Sequence, residues 1–161
     1  RARPGRLVPL VLAVSLAAAE LLAAEPPARP LEQAALDSWG PGQGLPQSTV
    51  QAIAQTPDGY LWIGTQEGLA RFDGAQFTVF DLRSKTALTA NTVLSLLVGP
   101  DGALWIGTNG GGLLRMRGDH IEAIGPEQGL TGRKIQSLAR DGRGTIWVGT
   151  DGKGRFCRGG G

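Results

Sequence analysis

The sequence predicts an all-β protein made of repeated small antiparallel sheets, and three observations carry that prediction. Trp62, Trp105 and Trp147 stand 43 and 42 residues apart, each inside the same apolar pattern. Between them, short apolar and β-branched runs alternate with glycine-centred turns. The 161 residues include 26 glycines and 10 prolines, nearly twice the usual share and too many turn-formers for long helices. A hydrophobic share of 41% excludes a disordered chain.

The start of the chain reads as an address rather than a fold. Arg1, Arg3 and Arg6 precede an apolar run from Leu7 to Ala19, then Glu20 and Leu21 to Ala24. Small residues at Ala17-Ala18-Ala19 or Leu22-Ala23-Ala24 suit a signal peptidase, and Glu25-Pro26-Pro27 ends any helix. Residues 1–24 are expected to be a helical signal peptide, and the protein to be exported. An uncleaved membrane anchor is the alternative, but the run is short of the ~20 apolar residues a span needs and contains Pro9 and Glu20. Residues 25–43 lead into the repeats. Within them 34–39, ending at Trp39, match the place of a fourth strand that would close a ring.

From residue 44 the chain aligns with itself as units 44–86, 87–128 and 129–161. Gly44-Leu45-Pro46-Gln47-Ser48-Thr49-Val50 falls on Ala87-Leu88-Thr89-Ala90-Asn91-Thr92-Val93 and on Gly129-Leu130-Thr131-Gly132-Arg133-Lys134-Ile135. The tryptophan segments read Leu61-Trp62-Ile63-Gly64-Thr65, Leu104-Trp105-Ile106-Gly107-Thr108 and Ile146-Trp147-Val148-Gly149-Thr150. In the first unit the strands are expected at 50–56, 60–65, 69–73 and 76–82, separated by Pro57-Asp58-Gly59, Gln66-Glu67-Gly68 and Gly74-Ala75. The second unit repeats them at 93–98, 103–108, 113–117 and 120–124. Four strands in each period of ~42 residues is the blade arithmetic of a β-propeller.

The strands that carry Trp62 and Trp105 are apolar on both faces, which fits a sheet sandwiched between neighbouring blades. The tryptophans are therefore expected to pack between blades rather than to stack a sugar or cofactor. Gly64, Gly107 and Gly149, each two positions past a tryptophan, would let the next blade approach the backbone.

The conjunction of Gly-Leu-Pro-Gln-x-x-Val, Pro-Asp-Gly-x-Leu-Trp-Ile-Gly-Thr and Gly-Leu-x-Arg-Phe-Asp-Gly resembles the two-component regulator propeller repeat, over roughly residues 34–154. That resemblance implies an N-terminal piece of a seven-bladed periplasmic sensor propeller in a membrane-associated signal-transduction protein. It implies further blades, a β-sandwich, a membrane helix tethering the parent to the inner membrane and a cytoplasmic histidine kinase or diguanylate cyclase. The Gly-Gln-Gly-Leu-Pro-Gln-Ser-Thr-Val opening looks most like the cyclase-linked members. A dimeric parent belongs to the same expectation. Unit three departs from the pattern: Arg143 replaces Asp58 and Asp101, and Arg155-Phe156-Cys157 precedes a glycine run where unit two has Leu113-Leu114. This reads as a truncated, aberrant tail, and three units are fewer than the four to eight blades of a closed ring.

No residue set for catalysis, a metal or a cofactor is apparent. One histidine and one cysteine, His120 and Cys157, build neither a disulfide framework nor a zinc site. Net charge is +2, its excess lies in the leader, and no basic stripe points to nucleic acid. Asp58 and Asp101 read as turn residues rather than a catalytic pair. Asp119, His120 and Glu122 read as a solvated outer strand rather than a metal cluster. Asn109-Gly110-Gly111-Gly112 precedes no helix and is no phosphate loop.

What remains is binding. In a four-strand meander, the loop after the second strand and the lead-in to the first strand emerge at one end. Gln47, Ser48, Thr49, Gln66, Glu67, Asn91, Thr92, Asn109, Arg133, Lys134 and Asp151 are thereby expected around one polar rim, where a small molecule or oligosaccharide would bind. The leading function is a non-catalytic, extracytoplasmic ligand-sensing module. The alternative is a piece of an exported carbohydrate-active propeller enzyme, since the Gly-x-x-Trp portions resemble the Asp-box of sialidase-like propellers. Asp58, however, sits directly before its glycine, where an Asp-box spaces them by one residue.

Overall fold

The computed structural model describes residues 37–84 and 88–151 and the backbone of 155–157. The expected signal helix at 1–24 lies outside the described residues, as do residues 34–36 of the expected ring-closing strand. No helix among the described residues is long and apolar enough to cross a membrane.

Three antiparallel sheets follow one another along the chain. The first is β1 (Val50–Gln55), β2 (Leu61–Thr65), β3 (Leu69–Phe72) and β4 (Phe77–Phe80). The second is β5 (Val93–Val98), β6 (Leu104–Thr108), β7 (Leu113–Arg117) and β8 (His120–Ile124). The third holds β9 (Ile135–Arg140), β10 (Ile146–Thr150) and β11 (Arg155–Cys157). Each sheet is a meander in which sequence neighbours pair. β1 stops one residue short of Thr56 because that residue already closes the turn, donating its N–H to Tyr60 O at 3.0 Å and accepting from Gly59 N at 2.9 Å. The first strands stand side by side, β1 against β5 and β5 against β9, so the sheets form consecutive blades.

Residues 37–39 carry no regular structure, and no described residue before Val50 joins the first sheet; the ring-closing strand expected over 34–39 would complete a different blade. Trp39 instead lays its ring on Phe72, with centroids 5.3 Å apart.

Trp62, Trp105 and Trp147 occupy the second position of β2, β6 and β10. Trp62 is 4% exposed and shares one apolar cluster with Leu104, Ile106, Leu114 and Met116 of the second blade. Trp105 is 5% exposed and shares another with Ile135, Ile146 and Val148 of the third. Each tryptophan thus seals its own blade against the next, removing a large apolar surface from water. Trp147 departs from the expectation: it is 39% exposed, because no further blade lies against it among the described residues.

The glycines two positions on behave in the same graded way. A Cβ on Gly64 would fall 2.6 Å from Val93 Cγ1, and one on Gly107 would fall 2.8 Å from Ile135 Cγ2 and 2.9 Å from its carbonyl oxygen. Both neighbours belong to the next blade's first strand. Gly107 and Gly149 also face a serine of their own blade, Ser95 Oγ and Ser137 Oγ, each 2.2 Å from such a Cβ, but at Gly149 no following blade adds a contact among the described residues.

A repeated link precedes the first and third blades. Gly40 and Gly125 donate their N–H groups to the Oε1 atoms of Gln43 and Gln128, at 2.8 and 2.9 Å, across the 3-10 turns Pro41–Gln43 and Pro126–Gln128. Gly44 and Gly129 then turn the chain at φ 104° and 86°, and Leu45 and Leu130 drop into the core.

Candidate functional site

The lead-in to each first strand and the loop after each second strand meet at one end of the blades, where hydrogen bonds stitch them in series. Thr92 Oγ1 donates to Gln66 O of the preceding blade at 3.1 Å, and Asn109 N donates to Thr92 O at 2.9 Å. Asn109 then bridges Lys134, while Gly110 and Gly112 donate to Arg133 O at 3.0 and 2.8 Å. Asp151 N donates to Lys134 O at 3.3 Å, and their side chains form an ion pair at 3.5 Å. Gln66, Thr92, Asn109, Arg133, Lys134 and Asp151 therefore lie along one strip.

Some of that polarity is spent on the scaffold. Asn91 Oδ1 accepts from Leu82 N at 2.9 Å, and Arg133 Nε donates to Gly110 O at 3.0 Å. Glu67 N donates to Thr65 Oγ1 at 3.2 Å. Gln47, Ser48 and Thr49 form their own turn before β1, where Thr49 N donates to Gln47 Oε1 at 2.7 Å. The side chains of Gln66, Glu67, Asn109 and Asp151 are left exposed to solvent. A register shift recurs beside the rim in every blade, between Val50 and Ala52, Val93 and Ser95, and opposite Gly149 and Thr150. Such bulges re-aim the strand end toward the loops.

The opposite end carries the turns. Asp58 accepts from the Thr56 hydroxyl at 2.5 Å, and that oxygen accepts the Trp62 indole N–H at 2.9 Å. In the third blade Asp141 takes over: it accepts from Trp147 Nε1 at 3.1 Å and from the N–H groups of Arg143 and Thr145, both at 2.9 Å. This explains why Arg143 is tolerated at the position of Asp58. Those bonds, Thr145 N–H foremost, hold the Asp141 carboxyl below its ordinary range. In the second blade Gly99 offers no side chain, and buried Trp105 Nε1 has no hydrogen-bond partner among the described residues.

Asp101 is bound by the Arg115 and Arg117 guanidinium groups. Burial raises its pKa, but the two arginine hydrogen bonds outweigh that and hold the carboxyl well below the usual range. Arg115 also pairs with Glu122 at 3.1 Å and lies 5.5 Å over the Trp105 ring. Arg71 takes the matching place over Trp62, at 5.8 Å, and reaches Asp119 of the second blade at 3.5 Å. The sequence signal for these stacked arginines is an arginine two residues past the start of the third strand in the first two blades. His120 and Glu122 share a face and line a recess of 160 Å³ with Arg115 and Arg117. Among the described residues no three metal-ligating side chains gather. Asp58, Asp101, Asp119 and Glu122 are thus each engaged with a neighbouring side chain.

Serial antiparallel blades standing side by side define a β-propeller architecture. Residues 44–67, 87–110 and 129–152 match the two component regulator propeller family, one repeat in each blade. It is 46% identical over 43 residues to a histidine kinase, P4, of Formosa agariphila, a match covering 27% of this chain and 3% of that protein. In structure it resembles the extracellular domain of the hybrid two component system BT3049 of B. thetaiotaomicron, with TM-score 0.63 and 26% identity over 70% of this chain and 17% of that one. The extracellular domain of BT4673 from the same organism gives TM-score 0.54 and 30% identity over 68% of this chain and 15% of that one. The chain therefore spans less than a fifth of the length of these relatives.

Proposed function

We propose that this chain is the ligand-recognising part of an extracytoplasmic sensor propeller, with no catalysis of its own. The parent protein would be held at the inner membrane and end in a cytoplasmic histidine kinase or diguanylate cyclase. The observation that carries the reading is the rim: lead-ins and loops from successive blades converge there on a hydrogen-bonded scaffold, leaving Gln66, Glu67, Asn109 and Asp151 exposed. Rigid scaffolds that present variable polar loops are where recognition concentrates. The propeller sensor domains of two-component relatives support the same role.

The test is a thermal-shift screen of the chain against neutral and acidic oligosaccharides and small organic acids, followed by calorimetry on any hit. The reading expects saturable binding that Gln66→Ala or Asn109→Ala weakens without lowering the unfolding temperature. Turnover of a glycoside that disappears with Asp58→Asn or Asp101→Asn would overturn it in favour of an enzyme.

A further inference from the structure

A groove of 310 Å³ lies where the second blade hands over to the third. One wall is Gly111 and Gly112 of the loop between β6 and β7; the other is the link that runs from Gly125 and Pro126 to Leu130 and Arg133. Ala123, Ile124 and Leu130 contribute apolar lining. The volume is that of a small-molecule pocket at the compact end of the range.

The walls are fixed before any ligand arrives. Thr89 Oγ1 donates to Gly111 O at 2.9 Å, Gly112 N to Arg133 O at 2.8 Å, and Leu130 N to Gly125 O at 3.1 Å. Among the described residues the single charge lining the groove is Arg133. Its Nε is tied to Gly110 O at 3.0 Å, which holds the guanidinium in place, and among the described residues no carboxylate forms an ion pair with it. The corresponding boundary between the first two blades is built differently. Its loop, Gln66–Gly68, is one residue shorter than Asn109–Gly112, and the buried ring of Phe80 stands where the second blade has Ile124.

We infer that this groove binds a small carboxylate-bearing molecule with a body about the size of one ring. The carboxylate would pair with Arg133, and the body would lie between the glycine wall and the apolar lining. A guanidinium and a carboxylate match in geometry and charge, and glycine walls admit a flat body close to the backbone. The inference deepens the recognition reading and rests on it, because Arg133 joins the groove to the rim.

Benzoate and glucuronate, an aromatic and a sugar acid, are the probes; benzyl alcohol and glucose are their neutral counterparts. Each is titrated into the full chain while the amide NMR signals of Gly111, Gly112 and Gly132 are followed. At least one acid is expected to shift these signals saturably, its counterpart much less, and the responding acid identifies the body the groove prefers. Arg133→Gln is expected to weaken binding about tenfold or more, Arg133→Lys less, as loss of a charge-assisted hydrogen bond requires. Thr131→Trp, which fills the groove from an exposed position, should abolish binding while leaving the unfolding temperature unchanged. Equal binding of acid and neutral probe, or no saturable shift by ~10 mM, overturns the groove. Binding that responds to Asn109→Ala but to neither Arg133→Gln nor Thr131→Trp also overturns it, while leaving the rim as the recognition surface.

Discussion

Gly64 in β2 lies directly against Val93 at the start of β5, so close that a single added methyl on Gly64 would fall 2.6 Å from Val93 Cγ1. Gly107 and Ile135 repeat the relationship one blade later. The chain therefore encodes its blade spacing in a glycine, and encodes the seal beside it in a tryptophan. The repeat survives as a structure because each period supplies both halves of the same joint.

The tryptophans should differ in energetic weight despite occupying one repeat position. Trp62→Ala and Trp105→Ala each remove a buried ring between blades and should cost about 3–5 kcal/mol. Trp147→Ala, at a ring 39% exposed, should cost less than half as much. Urea unfolding of the three variants checks the order.

Asp101 should make stability pH-dependent. Its carboxyl titrates lower in the folded chain than the ordinary value near 4, so its contribution is complete above about pH 4 and fades as pH falls toward the depressed folded value. Asp101→Asn should lower stability at neutral pH by about 1–2 kcal/mol, a figure reduced for solvent screening of the arginine pairs. The gap to the parent chain should narrow below about pH 4. Unfolding both proteins across that range reads it directly.

The glutamine caps should govern local opening of the links. Gln128→Ala removes the acceptor of the Gly125 N–H and should cost about 1 kcal/mol. Amide hydrogen exchange at Gly125 is expected to accelerate, with exchange at Ile106 in the middle of β6 little changed.

Much of the fold is legible in the sequence because the signals are local and recur. Leu-Trp-Ile-Gly-Thr marks the second strand in two units, and Pro-Asp-Gly marks the turn before it. The rim was also accessible, since the parity of a meander places Gln66, Thr92, Asn109 and Lys134 at one end without knowledge of any contact. The different exposures of Trp62 and Trp147 were not accessible, because burial belongs to the neighbouring blade rather than to the residue. The exchange of the capping role from Thr56 to Asp141, and the stacking of Arg71 and Arg115, depend on cross-strand geometry. The groove at Arg133 arises from the way a link packs beside a glycine loop, which no periodicity reports.

The central claim is that successive blades meet through a glycine and the next blade's first strand. A double-mutant cycle on Gly64→Ala and Val93→Ala tests it most directly. Gly64→Ala alone should overpack the joint and cost about 1–3 kcal/mol. In the Val93→Ala background, where the opposing Cγ1 is gone, that cost should fall by about 1 kcal/mol or more. Strict additivity of the two substitutions would contradict the joint, and with it the blade-on-blade account of this chain.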